Sequence, residues 1–93
     1  MNWILCIDTT TGNCSVSLTK NGTLFAAKEQ RKGQQHAGLL TLLIEQILEE
    51  SSVKMNKLVA IAVSDGPGSY TGLRIGASTA KGLCYALNIP LIA

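Results

Sequence analysis

The chain predicts an α/β fold, a five-stranded mixed sheet of order 3-2-1-4-5 carrying two long helices. Three observations predict it. An Asn21-Gly22 pair separates two strand-length runs, which is the strongest short hairpin signal. Beyond Gly33 the apolar spacing changes to the period of a helix, about 3.6 residues. Two nearly unbroken apolar runs, Trp3 to Asp8 and Leu58 to Val63, have the length and character of strands in the parallel part of a sheet.

Taken in order, Trp3 to Asp8 is expected to be a central strand covered on both faces. Asp8 to Asn13 is a polar turn, after which Cys14 to Thr19 alternates apolar and polar, as a strand with one buried face does. Leu24 to about Gln30 returns as a third strand, whose Lys28, Glu29, Gln30, Arg31 and Lys32 suit an exposed edge. From Gln35 to Ser51 a helix buries Leu40, Leu43, Ile44, Ile47 and Leu48. Leu39 and Leu42 fall outside that stripe, beside Gln46, either as ordinary exposed apolar residues or as a second contact face.

A fourth strand, Leu58 to Val63, is reached through that helix and should lie parallel to its neighbour by a right-handed crossover. The glycine-rich stretch Ser64 to Gly76 then launches a second helix, running from Gly72 to about Leu87. Leu73, Gly76, Ala80, Leu83, Cys84 and Leu87 should face the sheet, while Ile75, Ser78, Thr79, Gly82 and Ala86 form a second, small-residue side next to Tyr85. A helix apolar almost all round is buried on more than one side. Asn88 to Ala93 opens a fifth strand. This order is that of a ribonuclease-H-like lobe, the half-unit of actin-like ATPases. Residues 1–93 are expected to form one such lobe, and an end inside an apolar strand is expected to mark a fragment of a two-lobe protein.

The 46% apolar content supplies a globular core, whereas 15% charged residues is low for a chain with so much surface to cover. Some of that surface is expected to be covered by a partner. The net charge of +2 is scattered along the chain, with Arg31-Lys32 the only adjacent basic pair, which speaks against autonomous nucleic-acid binding. No run approaches the roughly 20 apolar residues of a membrane span, and a cytoplasmic protein is expected. Cys6, Cys14 and Cys84 lack metal-ligand spacing and read as reduced and buried.

The stretch Gly66-Pro67-Gly68-Ser69-Tyr70-Thr71-Gly72-Leu73-Arg74-Ile75-Gly76 closely resembles the signature of the TsaB family. Ile4 to Thr9, His36 with Leu39-Leu40, Ala80 to Leu83 and Ile89 to Ala93 agree with it. The resemblance implies the glycoprotease-like, actin-fold, non-catalytic paralogue of TsaD. It implies a part in making threonylcarbamoyladenosine beside the tRNA anticodon; no cofactor is expected. It implies a dimer with a TsaD-like catalytic subunit through the helices of this lobe, joined by a TsaE-like ATPase. tRNA would be met through the complex, not by this chain alone. The double-sided helices place the partner face at Leu39, Leu42, Gln46, Ile75, Ser78, Thr79, Gly82, Tyr85 and Ala86. An isolated lobe would pair with its own copy through the same helices. TsaD follows its next strand with paired histidines, and Ser69-Tyr70-Thr71-Gly72 looks like TsaB instead.

Two enzymatic readings compete. Strand, glycine turn and helix N-terminus can cradle an anion, so Asp8, Thr9, Thr10, Thr11, Gly66, Gly68 and Ser69 form a candidate phosphate site. The stretch lacks the Walker spacing, and no lysine clamps a phosphate. The site is therefore expected to be vestigial, with turn and cap chemistry as the plain alternative. A nucleotide-binding or phosphoryl-transfer lobe of an actin-like ATPase is the alternative function. A peptidase built on Ser69 would need a base, and His36 alone assembles neither triad nor metal pair. No catalytic residue and no metal ligand are expected.

Overall fold

The fold comes from a computed structural model, which describes residues 1–9, 14–30, 37–64 and 70–92. The sheet has the order β3-β2-β1-β4-β5, as the sequence predicts. Strand β1 (Trp3–Asp8) pairs antiparallel with β2 (Cys14–Lys20), and β2 pairs antiparallel with β3 (Thr23–Gln30). Strand β4 (Leu58–Val63) runs parallel to β1, and β5 (Leu91–Ile92) parallel to β4. Helix α1 (Ala37–Glu50) joins β3 to β4, and α2 (Tyr70–Leu87) joins β4 to β5.

Local chemistry explains the connections. Asn21 and Gly22 both have positive φ, 52° and 84°, the pairing that lets a two-residue hairpin follow the twist of its strands. Each helix stops in the left-handed conformation, at Ser52 (φ 57°) and Asn88 (φ 57°). After α1, Val53 N–H donates to Leu48 O at 3.0 Å and Ser52 N–H to Glu49 O at 3.1 Å. After α2, Ile89 N–H donates to Cys84 O at 3.1 Å. These bonds satisfy carbonyls that the last turn leaves open. The turn also points Val53 back into the core beside Leu48.

The core lies between one face of the sheet and both helices. Leu5 and Ile7 of β1, Val16 and Leu18 of β2, and Ile61 and Val63 of β4 meet Leu40, Ile44 and Ile47 of α1 and Ala80 and Cys84 of α2. Expectation and structure part at β1. The strand was expected to be covered on both faces, but its burial alternates: Ile4 and Cys6 stay half-exposed on the second face. The reason is topological. Both crossovers travel in the same direction across the sheet and share one hand, so both helices land on the same side.

Element ends shift by a residue or two. Helix α1 spans Ala37–Glu50, the expected start at Gln35 lying outside the described residues, and α2 is already helical at Tyr70, two residues before Gly72. A 3-10 turn at Met55–Lys57, which the sequence reading missed, leads into β4. Leu18 faces Ala26 and Thr19 faces Leu24, so Phe25 is the extra residue of a bulge. Lys28 is drawn off the edge of β3 to Glu50 at the end of α1, at 2.7 Å. Solvent screening limits that half-exposed pair to about 0–1 kcal/mol.

All three cysteines are free. Cys14 and Cys84 are buried, but Cys6 is half-exposed on the second sheet face, against the expectation that all three are buried. Burial pushes the Cys14 thiol above its ordinary value. It does the same at Cys84, where a backbone hydrogen bond from Ile61 pulls partly the other way. Iodoacetamide at about pH 8 should therefore label Cys6 first, with Cys14 and Cys84 reacting only as the chain unfolds. The unfolded chain ionises these two thiols first, so the stability they contribute should fall as pH rises through 9.0.

Candidate functional site

Helices α1 and α2 pack against one another as well as against the sheet. Their outer sides therefore adjoin, and the expected partner residues sort by depth. Leu42 of α1 is 48% exposed and Tyr85 of α2 is 91% exposed. Ser78, Gly82 and Ala86 are also exposed, and Gln46 and Thr79 are half-buried. Leu39 and Ile75 belong partly to the inside, since both pack against the core. A helix turns about 100° per residue, so positions at the edge of the apolar stripe lean onto the sheet.

The two glycines of α2 that lie past its first turn do different work. A Cβ built at Gly82 meets nothing within 4 Å. A Cβ at Gly76 would stand 2.6 Å from Thr9 Oγ1. Gly76 is therefore the point where α2 presses onto the end of β1, with Thr9 buried beneath it. Among the described residues no such neighbour stands at Gly82, whose flexibility costs a helix interior about 0.5–1 kcal/mol relative to alanine. A glycine there leaves a shallow place for another backbone to approach.

The candidate phosphate site is only partly within view. Thr10, Thr11, Gly66, Gly68 and Ser69 lie outside the described residues. Asp8 and Thr9 close β1, and β4 brings Ser64 beside them. Ser64 N–H donates to Ile7 O at 3.0 Å, and Ser64 Oγ donates to Asp8 Oδ1 at 3.0 Å. The first residue of the glycine stretch thus orients the exposed carboxylate at the end of β1, a link between residues 56 positions apart. Sequence reasoning named Asp8 but not the serine that holds it. The signal was the parallel pairing of β1 with β4, which places both strand ends at one edge.

Among the described residues, no group of three or more His, Cys, Asp or Glu side chains is arranged to hold a metal ion. His36 lies outside the described residues. No described helix is long and apolar enough to cross a membrane.

Residues 28–93 match the family model described as TsaD, tRNA N6-adenosine threonylcarbamoyltransferase. The chain is 36% identical over 96% of its length to a tRNA threonylcarbamoyladenosine biosynthesis protein TsaB from Haemophilus influenzae, of which it covers 37%. To the Escherichia coli protein of the same name it is 38% identical over 96% of its length, covering 38% of that protein. A tRNA N6-adenosine threonylcarbamoyltransferase from Bacillus thuringiensis is 31% identical over 96% of this chain and 31% of its own. Among solved structures, YeaZ from Pseudomonas aeruginosa superposes with a TM-score of 0.90 at 34% identity, covering all of this chain and 43% of that one. The chain thus spans about two-fifths of the length of its TsaB-named relatives.

Proposed function

We propose, from the premise that this chain belongs to the TsaB–TsaD family of tRNA threonylcarbamoyladenosine proteins on its TsaB side, that it is a non-catalytic scaffold. It acts by docking the outer sides of α1 and α2 onto a TsaD-like catalytic subunit. The observation that carries this reading is the pairing of exposed Leu42 and Tyr85 with the open position at Gly82 on adjoining helices. Large apolar side chains beside a glycine give a partner helix both anchors and close approach. The TsaD-like subunit binds first and a TsaE-like ATPase joins afterwards, with tRNA reached through the assembly. Alone, the chain pairs with its own copy through the same helices. It works in the cytoplasm, without a cofactor of its own.

The test is to mix the chain with a TsaD-type subunit and measure affinity calorimetrically for the parent and for the Leu42→Glu and Tyr85→Glu variants. Both side chains are exposed, so folding should be kept while each change weakens binding by about thirtyfold, the size of a lost anchor. Unchanged affinity in both variants would place the interface elsewhere.

A second reading has its own support. The Ser64–Asp8 hydrogen bond orients a carboxylate beside the glycine stretch, and a relative named as the transferase is 31% identical. A nucleotide-binding lobe of the actin-like kind would use that edge. Tight magnesium-dependent ATP binding by the chain alone would replace the scaffold reading with this one.

A further inference from the structure

We propose that the end of the lobe where β1 begins contacts RNA phosphates through Lys20 and Lys57, which lie beside Trp3, and Lys54 on the adjoining turn. Along the sequence these lysines are dispersed. The fold gathers them, because the end of β2, the start of β1 and the turn from α1 into β4 all reach the same edge of the sheet.

A recess of about 340 Å³ opens there, lined by Met1, Trp3, Ser51, Ser52, Val53 and Lys57. Lys54 lies on the turn between these lining residues, its carbonyl accepting from Lys57 N–H at 2.9 Å. Lys20 Nζ sits 5.6 Å from the centre of the Trp3 ring and 6.0 Å from that of Phe25. Phe25 meets Trp3 edge-on, with ring centres 4.9 Å apart, and is 50% exposed.

Among the described residues, opposing charge is sparse at this end. Of the two acids that finish α1, Glu50 is engaged with Lys28 at 2.7 Å, which leaves Glu49 against three lysines. Residues 82–92, which close α2 and lead into β5, carry no acid. The last carbonyls of α1 favour cations nearby and account for part of the tolerance of Lys54 and Lys57. Lys20 stands on a strand and has no helix end of its own.

Lysines beside the exposed Phe25 ring, which meets the buried Trp3, and the serine hydroxyls of the turn are the equipment for holding a nucleic-acid strand by its phosphates. An acidic peptide would use the lysines but would have no need of the ring. Three contacts make a weak, salt-sensitive auxiliary grip, consistent with a chain that does not bind nucleic acid strongly alone. The choice of RNA rests on the tRNA reading above; the geometry of the recess does not.

Trp3 is the sole tryptophan, so its fluorescence reports on this edge directly. Titrating the chain with a short single-stranded RNA should change that signal, with affinity falling roughly thirtyfold between about 30 and about 150 mM salt, a slope of about 2 for three single-strand phosphates. Lys20→Gln and Lys57→Gln should each lower the slope by about 0.7. Arg74→Gln, the same charge change on α2, should leave it unaltered. An unmoved signal at low salt, an equal slope in Lys57→Gln, or equal binding of polyglutamate would each overturn the proposal. Saturation of the signal by inorganic phosphate alone would do so as well. Binding of the TsaD-type subunit, measured separately on the same variants, distinguishes failure here from failure of the scaffold reading.

Discussion

Replacing Gly76 with alanine is expected to destabilise the fold by about 1–3 kcal/mol, the usual cost of forcing a methyl group into a closed core. The added Cβ would lie 2.6 Å from Thr9 Oγ1, closer than a Cβ carbon comes to a non-bonded atom in folded proteins. Thr9 has little room to swing aside, because it is buried and branched at Cβ. Relief would have to come from lifting α2 off the end of β1, which opens the contact between helix and sheet. For a chain of this size the loss should lower the melting temperature by roughly 4–8 °C for each kcal/mol. Thermal unfolding followed by circular dichroism measures it. The cause is separable: Thr9→Ala removes the opposing hydroxyl, so the double variant should recover part of the loss, and a double-mutant cycle should show favourable coupling. Strictly additive effects would mean that the helix can rise without penalty.

Gly82→Arg, six residues further along the same helix, is expected to do the opposite. Nothing stands within 4 Å of the position a Cβ would take, so the variant should fold. Arginine is a far better helix former than glycine, and the isolated chain should gain up to about 1 kcal/mol. If α2 docks onto a TsaD-like subunit, however, the long charged side chain would hold the two helices apart and bury a charge without a partner, which costs an interface several kcal/mol. Size-exclusion mixing with the subunit should then show two separate species where the parent gives one. A complex that survives Gly82→Arg would remove this part of α2 from the interface. A variant that unfolds would mean that Gly82 serves the lobe itself.

The contrast between these glycines marks where sequence reasoning stopped. Both lie at helical spacing among small residues, and the sequence reading put Gly76 on the sheet side and Gly82 on the outer side. It had no means of seeing Thr9 beneath Gly76, since the two are far apart along the chain and nothing local links them. Ser64 and Asp8 are a similar case, as are Lys28 and Glu50, each pair joined by strands or helices that must first be in place. Leu39 and Ile75, assigned to the partner face, turned out to lean on the core. A helical repeat fixes direction to within a residue or so, and the twist of the sheet decides which edge positions it touches.

By itself the sequence determined the elements and their order. The turn at Asn21-Gly22, the strands with their periods and the two crossovers follow from short-range sterics and from hydrophobic spacing, which are written residue by residue. The spelling of the glycine stretch likewise carried the family. Tertiary structure alone decided which face of β1 is closed, which glycine is pressed against a neighbour and which is open, and which dispersed lysines share one edge. Those outcomes depend on how close two distant segments come. Distances of a few ångströms are set by the packing of the whole chain, and no window of sequence contains them.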